Sequence, residues 1–187
     1  MSKTPSAKRM AKSAAKNPTV KSPAVKAPTS SPAFVSDLKT STRAAMIALL
    51  NKRLADAIDL KLAVKQAHWN IKGPSFIGIH LLLDEVSGRV EDHYDTIAER
   101  CVQLGGTAHG TLQSVAKATS LTPYPTDATA QDEHVRQISD HLGAFAKNCR
   151  EAVDDADEAG DAITADIFTS IARAVDKDHW FIGAHLG

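Results

Sequence analysis

Acidic residues are missing from the first 35 positions of this 187-residue chain, although the whole sequence balances 22 basic against 22 acidic residues. No apolar run approaches the ~20 residues that a bilayer-spanning helix needs, which excludes a membrane span. Cysteine is nearly absent: Cys101 and Cys149 are too few for a disulfide framework and suit a reducing compartment. The N-terminus has no apolar core of the secretory type. It is acid-free like a transit peptide, yet rich in Lys and Pro with a single Arg. A retained arm on a cytoplasmic protein is the expectation.

That arm carries Lys3, Lys8, Arg9, Lys12, Lys16, Lys21 and Lys26, five of the eight prolines, and one aromatic, Phe34. So little apolar area cannot offset the entropy of ordering the segment, so residues 1–35 are expected to be a disordered basic tail. It takes seven of the 22 basic residues, so the remainder carries 15 against all 22 acids. A cationic arm is thus joined to an anionic body. Spaced cations without acids suit phosphate contact without base reading, and the scarcity of aromatics disfavours stacking on single strands. The seven cations are therefore expected to hold double-stranded DNA without sequence preference, which implies a nucleoid-associated location. Many arms on one assembly would add avidity. A solubilising extension, or an arm that adheres to neighbouring anionic shells, is the competing reading.

Residues 36–187 read as one all-α domain with no internal repeat and no convincing strand. The first helix is expected from about Thr42 to Asn70, with Ile47, Leu50, Leu54, Ile58 and Leu62 at helical spacing, Ser41 as its cap, and Gly73-Pro74 as its stop. A second runs from about Phe76 to Leu104. Its stripe of Ile79, Leu83, Val86, Val90, Ile97, Cys101 and Leu104 falls within about 60° of arc. A short helix is expected at Leu112–Ala118, a third long one from about Ala130 to Asp157, and a fourth from about Ala162 to Ala184. Four long helices, with a short helix in the long connection between the second and third, make a ferritin-like four-helix bundle.

The second helix also carries His80 with Asp84, and Asp95 with Glu99. Each pair is spaced to point one way. Counting from Ile79, the four lie at about 100°, 140°, 160° and 200°, away from the apolar stripe. Asp84 and Asp95 are nevertheless about 16 Å apart along the axis, too far to share a metal whose ligand bonds are about 2 Å. His80 and Glu99 are equidistant from the point between Arg89 and Val90, and so are Asp84 and Asp95. Two copies of the helix crossing antiparallel about that point set His80 against the second copy's Glu99, and Asp84 against its Asp95. Gly88 would permit close approach. The spacing therefore predicts a metal site shared between subunits. His68, across the Gly73-Pro74 hairpin, is a third ligand candidate. A mixed imidazole and carboxylate set suits Fe(II), and zinc or manganese as well. Solvated acids on an exposed helix face are the plainer alternative.

Three segments carry a family resemblance: QAHWNIKGPSFIGIHLLLDEV from Gln66 to Val86, YDTIAERCVQLGG from Tyr94 to Gly106, and DKDHWFIGAHL from Asp176 to Leu186. Together they resemble the Dps family, the DNA-binding miniferritins. Glu-x-x-His, expected of the intrasubunit di-iron centre of larger ferritins, occurs nowhere. The resemblance implies a hollow homo-dodecamer with ferroxidase sites at two-fold interfaces. One subunit gives His68, His80 and Asp84, and its partner gives Asp95 and Glu99. It also implies that Trp69 lies near the site, that Fe(II) is oxidised, preferably by hydrogen peroxide, and that ferric mineral fills the cavity. Acidic pores at three-fold axes would admit iron, for which Asp161 and Asp166 are the best candidates in the run from Glu151 onward. The other histidines (His93, His109, His134, His141, His179 and His185) are expected to be structural or surface residues. The rival function is a nucleoid-compacting protein with a vestigial or structural metal site.

Overall fold

The computed structural model describes residues 36–186, and the basic tail expected at 1–35 lies outside them. Five α-helices follow one another: α1 (Thr40–Asn70), α2 (Phe76–Gln103), α3 (Leu112–Ala118), α4 (Gln131–Ala159) and α5 (Ala162–Gly183), with a final 3₁₀ turn over Ala184–Leu186. The expected four long helices and one short one are all present.

The bundle forms because each long helix turns an apolar stripe inward. All seven residues of the α2 stripe are buried, and they meet Leu50, Leu54, Leu60 and Val64 from α1. From the other side come Ile138, Leu142 and Phe145 of α4 with Phe168 and Val175 of α5. Phe145 and Phe168 are fully enclosed. Truncating either to alanine would cost about 3–5 kcal/mol. α1 pairs most extensively with α2, and α4 with α5. The two hairpins then close face to face, α1 on α4 and α2 on α5.

Two details of α1 differ from expectation. The helix begins at Thr40, so Ser41 lies within it rather than capping it. Lys39 occupies the cap position and supplies no side-chain hydrogen bond. Leu62, placed on the apolar stripe by its spacing, is 46% exposed.

The connections are pinned by polar contacts. Lys72, in the turn between α1 and α2, exchanges backbone hydrogen bonds with Thr129 and Gln131 at the start of α4. The long connection after α2 is fixed by Asp56, which is wholly buried on α1. Its Oδ1 accepts from the Ser120 backbone N–H at 2.7 Å and from the Ser120 hydroxyl, and its Oδ2 accepts from Asn148. Arg53 supplies the balancing charge at 3.2 Å. Gly106 lets that connection leave α2, since a Cβ there would stand 2.7 Å from Ile47. Among the described residues, no helix is long and apolar enough to cross a membrane.

Candidate metal centre

The α1–α2 turn is short, so the last residues of α1 lie beside the first turns of α2. That places His68 next to His80. Their rings stack with centroids 3.7 Å apart and an interplanar angle of 21°. Each Nδ1 meets the other residue's backbone carbonyl, His68 to His80 at 2.9 Å and His80 to His68 at 2.8 Å. A carbonyl oxygen only accepts, so both Nδ1 atoms must donate. In the neutral rings, both Nε2 atoms are left with a free lone pair. This is how metal-binding histidines are commonly held: one nitrogen anchored to the backbone, the other presented. Phe76 packs against His80 at 5.0 Å.

Asp84 follows one turn after His80 and is largely exposed. Its Oδ1 accepts a 2.7 Å hydrogen bond from Lys65 on α1. That bond, and the charge behind it, hold the carboxyl below its ordinary value. Trp69 is 67% exposed at the end of α1, with the Lys65 ammonium 5.8 Å from its ring centroid.

Asp95 and Glu99 lie exposed near the other end of α2. The helix is continuous between the two clusters, so its rise keeps them about 16 Å apart. Among the described residues, no group of three or more His, Cys, Asp or Glu is gathered closely enough to hold a metal ion. The candidate ligands thus form two separate clusters at the surface of the described chain.

Sequence periodicity had pointed only to the polar members of this face. The same face carries Ile77, Leu81 and Val102, which are 63%, 56% and 50% exposed. By helix geometry they lie at about 160°, 200° and 140° from Ile79, interleaved with the candidate ligands. Gly88 sits among them, and a Cβ there would meet nothing within 4 Å. The signal was available in the α2 spacing, but it was masked by the stronger buried stripe.

The two iron-uptake candidates have different surroundings. Asp161 is 2% exposed and caps α5: its Oδ1 accepts from the Thr164 N–H at 3.1 Å and from Arg100 at 2.7 Å, and its Oδ2 accepts from the Thr164 hydroxyl. Those contacts commit it to holding the α4–α5 turn against α2. Asp166, one turn into α5, is exposed, as are Glu151, Asp154, Asp155, Asp157 and Glu158.

Of the remaining histidines, His134 and His141 are buried. His134 Nδ1 lies 2.6 Å from the Tyr124 hydroxyl, and His141 lies between the carbonyls of Gln137 and Thr122. His93 is partly buried between α2 and α5, which lowers its pKa. His109 and His185 are exposed.

A four-helix bundle with a short helix in its central crossing, bearing anchored imidazoles and carboxylates, defines the ferritin-like class. In agreement, the Ferritin-like domain family matches residues 47–187. The chain is 50% identical over 150 residues to the DNA protection during starvation protein of Agrobacterium fabrum, covering 80% of this chain and 93% of that one. Its fold is similar to that of DpsC from Streptomyces coelicolor, with TM-score 0.79, 32% identity, and coverage of 82% and 90%. It is also similar to Dps from Microbacterium arborescens, solved in its high iron form, with TM-score 0.75, 35% identity, and coverage of 82% and 99%. The chain belongs to the Dps family.

Proposed function

We propose that this protein stores and detoxifies iron: two subunits complete a ferroxidase site, Fe(II) is oxidised there by hydrogen peroxide, and ferric mineral collects inside a dodecameric shell. The observation that carries this reading is the reciprocal anchoring of His68 and His80, which leaves both Nε2 atoms free, with Asp84 one helical turn beyond His80. Completion by a second copy is supported by the distance of Asp95 and Glu99 from Asp84 along α2, and by the exposed Ile77 and Leu81 beside His80 and Val102 beside Glu99. Apolar side chains clustered on one exposed face mark a surface meant to be covered. An antiparallel crossing near Gly88 would cover it and bring the half-sets together.

In this site iron is the substrate. The imidazoles bind Fe(II) and fix its geometry, while the carboxylates neutralise charge and favour Fe(III). One hydrogen peroxide takes one electron from each of two Fe(II), so iron and oxidant are consumed without releasing hydroxyl radical. Asp166 and its exposed acidic neighbours suit a route that concentrates cations. The tail cations Lys3, Lys8, Arg9, Lys12, Lys16, Lys21 and Lys26 are proposed to hold DNA, since the rest of the chain is anionic.

The test is iron loading of the assembled protein. Fe(II) with peroxide should build a ferric core, and the double variant His80→Ala/Asp84→Ala should oxidise iron at least about tenfold more slowly, as loss of first ligands generally demands. Native rates in that variant would discard the site. A protein that binds DNA but gathers no iron would favour the nucleoid-compacting alternative.

A further inference from the structure

Two lysines of α1, one helical turn apart, reach across to carboxylates of α2. Lys65 pairs with Asp84 at 2.7 Å, and Lys61 pairs with Glu91. Both ammonium groups also lie over aromatic rings, Lys65 at 5.8 Å from Trp69 and Lys61 at 5.5 Å from Tyr94. The lysine side chains are 24% and 23% exposed and their acidic partners 58% and 54%, so the cations lie along the α1–α2 groove with the carboxylates more open. The pairs look alike but differ in one respect. Asp84 belongs to the candidate ligand set, and Glu91 does not.

We infer that Lys65 is a resident cation of the iron site: its ammonium holds the Asp84 carboxylate while the site is empty, and incoming Fe(II) displaces it. The inference rests on the shared-site reading above. In a paired interface Asp84 would face the partner's Asp95 and Glu99, three carboxylates withdrawn in part from water. Like charges gathered in that way repel one another, more strongly as solvent is excluded. A single ammonium relieves that repulsion without closing the site. A dication interacts more favourably with the same oxygens and can also take an imidazole Nε2 lone pair, which an ammonium cannot use. On displacement Lys65 keeps its proton and swings out to water. No covalent bond is made and no electron moves. The local charge rises by one unit rather than two.

A placeholder has opposite effects on the empty and the loaded protein, whereas a merely structural lysine would affect both alike. The test uses Zn(II), a redox-inert probe, titrated calorimetrically into the assembled full-length chain, together with melting temperatures with and without metal. Lys65→Met should bind Zn(II) roughly two- to fivefold more tightly, the worth of a released ion pair. It should also melt lower than the native protein when metal-free, widening the gap between empty and loaded forms. Lys65→Arg, whose guanidinium can also pair with Asp84, should not show the tightening of Lys65→Met, and Lys61→Met should leave Zn(II) affinity unchanged. Asp84→Asn separates the two levels of the argument. If it binds Zn(II) as well as native, the shared site and this inference both fail. If it loses binding while Lys65→Met binds no more tightly than native, only the role of Lys65 fails. Equal tightening in Lys61→Met would reduce the effect to bulk charge and overturn it too.

Discussion

His68 and His80 show how little a single side chain's identity decides. Both occur in a sequence with six other histidines, and what distinguishes them is that each spends Nδ1 on the other's backbone. His134 spends its polar atoms differently. Its Nδ1 faces the Tyr124 hydroxyl at 2.6 Å, and burial lowers its pKa. Burial also raises the Tyr124 pKa, so that hydroxyl stays protonated and donates to the imidazole. The folded state therefore binds a proton at His134 less readily than the unfolded chain, whose histidines titrate near 6.5. Stability from this residue is present above that value and is lost as pH falls toward the depressed folded value. His93 contributes with the same sign. Urea midpoints should accordingly fall between pH 7 and pH 5, and by less in His134→Gln. An equal slope in that variant would place the acid sensitivity elsewhere.

At the scale of elements, the α4–α5 corner shows what terminates and restarts a helix. Gly160 has φ 78°, the left-handed conformation that closes α4, and Asp161 caps α5 immediately after it. Arg100 brings the end of α2 to the same carboxylate. Asp161→Ala removes a cap worth about 1 kcal/mol and leaves a mostly buried guanidinium without its counter-ion. The expected loss is about 3 kcal/mol, read as a shift in the urea unfolding midpoint, while Asp161→Asn should lose less because it keeps the cap. A surface residue at an uptake route would show almost no effect on stability, so the measurement also separates capping from traffic. The boundaries between α1 and α2, at the end of α2 and between α4 and α5 were legible because Gly73-Pro74, Gly105-Gly106 and Gly160 punctuate them. The start of α1 was not, since Lys39 makes no cap bond that a sequence signature would announce.

For the whole molecule, the proposed shared site would make the assembly part of the chemistry. The native mass should be a multiple of the subunit pair, with the proposed dodecamer near twelve times 19.9 kDa. Light scattering checks this. Retardation of double-stranded DNA by the full chain should weaken steeply with salt, by orders of magnitude between about 50 and 200 mM. A chain starting at Ser36 should lose it. Equal retention by the shortened chain would put the DNA surface on the bundle.

The sequence by itself determined the helical bundle, because apolar residues at a period near 3.6 leave one way to bury a stripe. It also fixed the separation of the two polar clusters, because the rise of a continuous helix is a constant of backbone geometry. Charge segregation between the first 35 residues and the rest was equally open to reading. Only the tertiary structure decided which ring nitrogens of His68 and His80 are tied up, that Asp161 is sealed beneath Arg100, and that Lys65 rather than solvent meets Asp84. Those facts depend on contacts between segments remote in sequence. Periodicity along one helix carries no information about which atom of another helix arrives opposite it.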